Sequence, residues 1–380
     1  MSPPLKIKFL LEDDFCHFKE EWNALLDLSN SSSFFLKWEW LFSFWSTLPK
    51  RNCELSIFLL YENSNLVGIG PFYLQKEKFY GFAVKKLTFL GNTIASDYLD
   101  IFSKPGYEEK CCEAVINSIA SQQCLVEFTS LSEEANVFTY FKKQHNSNHK
   151  FKFIFCEKTL CPRILLPESV TEFNESLSKS TKYLLKRKQK KIFNQFPSIK
   201  FKNIPFKEKS YLDELFSLHK KRWDLISGNK STFYSDYRKQ FNNKFIQLCS
   251  NHDGFFSIIE IEGKVVSLLY LFQYKKQLFF YQNGWEPEFA QVSIGLVHIK
   301  MAVEEAIGEK YLSFDMLRGD EQYKYKFSND VRNIFSLMMF NNNLQGYLFY
   351  LLHNMVLSIK QNTKKNIGSI CTKLQKFQEG

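Results

Sequence analysis

No window of the 380-residue chain approaches the roughly 20 apolar residues that a membrane-spanning helix needs. The strongest apolar cluster, YLFYLL at 347–352, is far too short. The nine cysteines form no C-x-x-C pair and no zinc-ligand spacing, and an odd count suits buried thiols in a reducing compartment better than a disulfide framework. There is no G-x-S-x-G elbow, no Walker loop and no Rossmann glycine fingerprint. These absences disfavour covalent and metal-dependent mechanisms, and no metal is expected. The start, MSPPLKIKFLLEDDF, puts acids directly behind a short apolar stretch, which predicts a first strand rather than a signal peptide. A cytoplasmic protein is the expectation.

With 44% hydrophobic and 24% charged residues, the chain is too long for one ordinary core and reads as two globular domains plus a tail. The formal charge of +10, from 50 basic and 40 acidic residues, favours an anionic partner such as a nucleotide cofactor, RNA or an acidic membrane surface.

The order of elements repeats. After the first strand, Phe15, Phe18, Trp22, Leu25 and Leu26 recur at helical spacing, and FFLKWEWLFSFW predicts a second helix. CELSIFLLYENSNLVGIGPFYLQK reads as a β-hairpin, EEKCCEAVINSIA as a helix and CLVEFTSL as a strand. The second half follows with helices over 207–226 and about 233–250, then the hairpin GFFSIIEIEGKVVSLLYLFQY. The strand LFFYQNGW, the helix SIGLVHIKMAVEEAIG and the strand KYLSFDML complete it. An offset of about 190 residues implies duplicated domains, since solenoid units recur at roughly 20–50 residues. The expected fold is therefore α+β, two tandem domains over 1–160 and 161–343, each a mixed sheet flanked by helices, with an amphipathic basic helical tail over 344–380.

Between the halves, a helix predicted from about Glu168 to Gln195 carries Lys179, Lys182, Lys186, Arg187, Lys188, Lys190 and Lys191 opposite an apolar side of Phe173, Leu177, Leu184, Leu185 and Ile192. This is either a solvated face or a contact for cofactor phosphates, RNA or acidic lipid. The tail is apolar early and basic later, with Lys360, Lys364, Lys365, Lys373 and Lys376. It packs on the body or lies in the plane of an acidic membrane.

Of the seven histidines, His145, His149 and His252 sit in polar, loop-like surroundings. His219 shares a helix face with Leu212, Leu215, Phe216 and Trp223, so it is either a satisfied core histidine or a cleft base. Asp315 falls near the carboxyl end of its strand, where α/β-type sheets commonly place sites. Gly319 then permits a turn that ordinary residues resist, followed by Asp320, Glu321, Tyr323 and Lys324. That turn is a site or an acidic cap. Gln291, Ser293 and Gly295 precede and open a helix whose free N–H groups suit a phosphate-bearing donor, although Ser293 serves equally as a helix cap.

The motifs LHKKRW, SIGLVHIKMAVEEAIG and FDMLRGDEQYKYKF resemble the CelD-type acetyltransferase family of the GNAT superfamily, related to FemAB-type transferases; EWNALL…SSSFFLKWEWLFSFW and VGIGPFYL resemble its first repeat. The resemblance covers roughly residues 9–340 and departs from the family at Ile294, where proline is usual. It implies two GNAT-like domains and an acyl-thioester donor, acyl-CoA, bound where the central strands of the second domain splay. The family's motif positions fall on His219, Arg222, Trp223, Asp315, Gly319, Asp320, Glu321, Tyr323 and Lys324.

The expected chemistry is acyl transfer to an amine of a sugar, lipid precursor or other small molecule. His219 would be the base, assisted by Asp315 or Glu321, with Tyr323 and Lys324 near the leaving thiolate and Arg222, Trp223 and Asp320 toward the acceptor. The alternatives are aminoacyl transfer from charged tRNA and a non-catalytic scaffold on a membrane or biosynthetic complex. A location at the inner face of the membrane would extend the cytoplasmic expectation.

Overall fold

The computed structural model describes residues 4–92, 96–122, 124–143, 151–226 and 235–359. His145, His149 and the lysines from Lys360 onward lie outside them. Among the described residues thirteen strands form one mixed sheet. They are β1 (Lys6–Leu10), β2 (Cys53–Glu62), β3 (Asn65–Phe79), β4 (Phe82–Phe89), β5 (Phe102–Ser103), β6 (Leu125–Ser132), β7 (Phe151–Leu165), β8 (Lys200–Pro205), β9 (Gly254–Ile261), β10 (Lys264–Tyr274), β11 (Gln277–Trp285), β12 (Ser313–Asp315) and β13 (Asp330–Asn341). Their order is β1-β2-β3-β4-β6-β13-β7-β12-β11-β10-β9-β8, with β5 paired to β3 off that path.

Each half contains a parallel pair, joined through a helix: β4 with β6 across Glu108–Ala120, and β11 with β12 across Ile294–Gly308. The halves then exchange strands. β13, last in sequence, pairs with β6 of the first half, while β7 pairs with β12 of the second, and β7 and β13 pair with each other. Residues 160 and 161 both lie inside β7. The aromatic core also crosses between the halves: Phe34 stacks on Phe272 at 4.6 Å, and Trp40 meets Phe241, Phe245 and Phe272 edge-on. Aromatic pairs of this kind hold more firmly than their buried area alone provides.

Three local expectations are corrected. The helix expected from Glu168 to Gln195 is two, Val170–Ser176 and Lys179–Gln195. Leu177 is extended and the Ser178 hydroxyl accepts the Thr181 N–H, so a serine cap restarts the helix. The strand expected over KYLSFDML shrinks to Ser313–Asp315, because the Met316 N–H turns to the Pro162 carbonyl and Leu317 takes φ +55°. FFLKWEWLFSFW divides into a 3-10 turn, Phe34–Leu36, and a helix, Trp38–Thr47. The tail is helical over 344–359. Among the described residues no helix is long and apolar enough to cross a membrane.

Candidate active site

β11 and β12 pair over only three positions, Gln277–Phe279 against Ser313–Asp315. Beyond Phe279 the two strands part, and a cavity of about 310 Å³ opens between them. One wall is Phe280–Asn283 of β11, and the opposite wall is Met316, Leu317 and Arg318 as the chain leaves β12. Tyr281 is bulged out of register with β10, because Tyr270 faces Gln282 while Leu271 faces Phe280. A bulge bends its strand and re-aims nearby side chains.

The helix Ser210–Ile226 supplies His219, Arg222 and Trp223 to the cavity. It comes this close because residue 284 is glycine: a Cβ there would lie 2.6 Å from the His219 backbone nitrogen and 2.7 Å from the Leu218 carbonyl carbon. Those backbone atoms have little freedom to move aside. The same helix face buries Leu212 and Leu215, so ordinary core packing sets the depth of the histidine.

His219 is 1% exposed. The Trp223 indole N–H donates to its Nε2 at 3.0 Å, and the Gln282 side-chain oxygen lies 3.1 Å from the same nitrogen. One nitrogen cannot satisfy both partners at once. Unprotonated, Nε2 accepts from Trp223; protonated, it donates to Gln282. Burial, reinforced by the neighbouring Arg222 charge, brings the imidazole down to about 4, with Gln282 opposing. The charged form is thus disfavoured by about 3 kcal/mol relative to water. At neutral pH the cavity holds an uncharged imidazole with an acceptor beside the nitrogen that would gain a proton.

Four cationic side chains complete the wall. The Arg222 guanidinium donates to the Asn283 side-chain oxygen, and burial lowers its pKa. Arg238 enters from the helix Asp236–Leu248. Arg318 binds Asp97 through its Nε and its backbone N–H, and reaches the Ser96 carbonyl at 2.8 Å and the Ser130 hydroxyl at 2.7 Å. Lys324 is 3% exposed, with its ammonium 2.8 Å from the Arg318 carbonyl and 3.0 Å from Glu321. Asp97 and Glu321 are therefore each paired with a cation. Arg222 and Arg238 form no salt bridge among the described residues.

Gly319 has φ +131°, and a Cβ there would meet the Glu321 carboxylate at 2.1 Å and the Lys324 ammonium at 2.8 Å, so this turn requires glycine. Asp315 is fully buried behind the cavity. It accepts from Tyr98 at 3.0 Å and from the Leu317 N–H at 2.8 Å, with Arg332 at 3.5 Å. Burial raises it to about 6, against the pull of Arg332 and these hydrogen bonds.

The cavity thus collects His219, Arg222, Trp223, Glu321, Tyr323 and Lys324. Burial, chiefly, raises the Tyr323 phenol. Asp320 accepts from the Tyr325 hydroxyl at 2.7 Å in an exposed setting, outside the cavity lining. Gln291, Ser293 and Gly295 are also outside that lining, at the start of the helix Ile294–Gly308. There the Gln291 carbonyl accepts from Lys188 at 2.6 Å. Ser293 is left-handed, with φ 56°, and makes no side-chain cap. A Cβ on Gly295 would meet the Trp285 ring at 3.1 Å.

Sequence reasoning missed Ser96, Asp97, Arg238, Gln282, Asn283 and Arg318 as site residues. Gln282-Asn283 was detectable as a polar pair interrupting an apolar strand; Ser96 and Asp97 carried no local signal. Among the described residues no cluster of three His, Cys, Asp or Glu suits a metal. A larger cavity of about 550 Å³ lies beneath the tail helix, and Lys85 is its only charged lining residue among the described residues.

Residues 179–325 match the family described as an acetyltransferase (GNAT) domain. That segment contains every described residue lining the cavity between β11 and β12 except Ser96 and Asp97. Over those residues the chain is similar to a GNAT-type acetyltransferase domain. Among solved structures, FemX superposes with a TM-score of 0.55 at 8% identity, over 86% of this chain and 96% of that one. A conserved protein of unknown function from Bacteroides thetaiotaomicron VPI-5482 gives 0.54 at 8%, over 88% and 99%. L-PGS from Bacillus licheniformis gives 0.50 at 11%, over 91% and 96%. At these identities the likeness is one of fold. No curated protein matches the chain.

Proposed function

We propose that the protein is an N-acyltransferase that moves an acyl group from a thioester, acyl-CoA, to the amine of an acceptor bearing an anionic group. The observation that carries this reading is the uncharged His219 imidazole in a cavity formed where β11 and β12 part. The amine lone pair attacks the thioester carbonyl, forming the C–N bond. As the adduct collapses, the C–S bond breaks and the electron pair leaves on sulfur. The proton of the attacking nitrogen passes to Nε2 of His219, which exchanges its Trp223 contact for Gln282, and His219 then hands that proton on to the departing thiolate.

A base near 4 cannot strip an ordinary ammonium near 10, a gap of roughly 8 kcal/mol. The amine therefore reacts when it arrives neutral, and His219 takes the much more acidic proton of the tetrahedral adduct. Backbone N–H groups of β11 beyond Phe279, where β12 no longer runs alongside, are suited to the oxyanion. Arg222 and Arg238 supply the positive charge that selects an anionic acceptor, such as a sugar phosphate or lipid precursor. The His219-x-x-Arg222-Trp223 and Gly319-Asp320-Glu321-x-Tyr323-Lys324 patterns support the CelD-type assignment. The donor's phosphates are assigned to the helix start around Gln291, Ser293 and Gly295, within reach of Lys188.

A second reading, aminoacyl transfer from charged tRNA, is favoured by the exposed Lys179, Lys186, Arg187, Lys190 and Lys191 on one helix. The test is turnover of a panel of acyl-CoA donors with phosphorylated amine acceptors, alongside mass spectrometry of small molecules retained by the purified protein. Acyl-CoA binding, and loss of turnover in His219→Ala, are expected. Absence of acyl-CoA binding, or full turnover in His219→Ala, refutes the first reading. RNA binding that weakens steeply with salt and disappears when those lysines are neutralised would replace it with the second.

A further inference from the structure

The tail helix leaves uncovered a face that belongs to no cavity. Residues 344–359 contain no Asp, Glu, Lys or Arg. On the inner side, Gly346 packs against the Asn341 backbone, and Phe349, 5% exposed, packs on Phe79 at 5.4 Å and Phe82 at 5.7 Å. His353 lies 2.9 Å from the Tyr80 hydroxyl.

The outer side is apolar and open to solvent. Leu344, Leu348, Leu351, Met355 and Ile359 recur every three or four residues and are 87, 46, 46, 56 and 57% exposed. Phe82, on the adjoining hairpin, is 51% exposed. A contiguous apolar stripe of this kind marks an interaction surface rather than scattered surface hydrophobics.

We propose that this face lies in the plane of an anionic lipid bilayer. Sixteen helical residues span about 24 Å, short of the roughly 30 Å hydrocarbon core, so the helix lies along the interface and does not cross it. Charge selects lipid over a second copy of the chain. Residues 360–380 carry Lys360, Lys364, Lys365, Lys373 and Lys376 against one acid, Glu379. Near an anionic leaflet each lysine contributes about 1 kcal/mol, whereas pairing two copies through this helix adds like charge to like. Lys152, with its ammonium 5.4 Å from the Tyr347 ring and 5.6 Å from the Tyr350 ring, puts a cation beside the helix. An apolar face next to cations is the pattern of an in-plane amphipathic anchor. The inference is independent of the cavity chemistry.

Flotation of the full chain tests it, with phosphatidylcholine vesicles and with vesicles containing about one-third phosphatidylglycerol. The protein should float with the anionic vesicles and not with the neutral ones. A double Leu348→Glu, Leu351→Glu variant should lose at least tenfold in partitioning with an unchanged circular dichroism melt, because both side chains are already exposed. Lys364→Gln, Lys365→Gln, Lys373→Gln and Lys376→Gln together should weaken binding and flatten its salt dependence. Met355→Trp, whose fold is checked the same way, should shift its emission to the blue only with anionic vesicles. Failure of the wild type to float, or floating unaffected by the glutamates, overturns the proposal. Sedimentation equilibrium that finds a dimer abolished by the same glutamates overturns it in favour of a homodimer.

Discussion

Replacing His219 with glutamine should flatten the acid limb of the protein's stability. In the unfolded chain the imidazole titrates near 6.5, and in the fold near 4. Because the folded value is depressed, the unfolded state binds the proton first as pH falls. The stability contributed by keeping this ring neutral is complete above about pH 6.5 and declines toward about pH 4. At about pH 5 the unfolded form is favoured by a factor of roughly 30, or about 2 kcal/mol, and at about pH 7.5 by less than about 0.1 kcal/mol. His298, fully buried between the Ser257 and Ser267 hydroxyls and depressed to about 3, adds a similar loss to wild type and variant alike. Urea unfolding at the two pH values should therefore show a drop about 2 kcal/mol smaller in His219→Gln. Glutamine keeps a polar group beside Trp223 and Gln282. An equal drop in both proteins would mean that His219 is not held neutral by burial, and the case for it as a resting base would fall with that result.

Four further outcomes follow from named contacts. Gly284→Ala should destabilise the fold by several kcal/mol, read by thermal melting, because its Cβ would meet backbone atoms of Leu218 and His219. Asp315→Asn should raise stability above about pH 6, by at most about 3 kcal/mol, because the folded carboxyl is raised to about 6 and its ionised form is disfavoured. That gain should vanish below about pH 4, and no gain at neutral pH would show that Arg332 and Tyr98 already compensate the charge. Arg222→Gln and Arg238→Gln should each raise KM for a phosphorylated acceptor roughly ten- to hundredfold, on the order of 1.5–3 kcal/mol per charge-assisted contact, and should leave KM for its uncharged analogue unchanged. From about pH 5 upward, kcat/KM should follow the ionisation of the acceptor amine alone, since His219 has already lost its proton.

Local pattern made much of this protein legible. The spacing of Leu212, Leu215, Phe216 and Trp223 placed His219 on a buried face, which is where it lies, because helical periodicity of apolar side chains reports burial directly. The strand–helix–strand order around SIGLVHIKMAVEEAIG was equally readable, and so was the turn that needs Gly319. Chain segments of β7, β8 and β13 gave no usable pattern: β7 and β13 are only partly buried and pair with strands far away in sequence, and β8 alternates weakly at the sheet edge.

The sequence by itself determined which faces go inward, where the glycine turn falls, and that a histidine, two arginines and an acid-rich turn occur in one half. Only the tertiary structure decided that the cavity opens where β11 leaves β12, that Asp97 from the other half holds Arg318, and that Asp315 braces the turn from behind. The physical reason is that periodicity encodes burial, whereas the partner that satisfies a buried charge is set by the folded path of the chain. Asp97 and Arg318 are 221 residues apart in sequence and in direct contact in space.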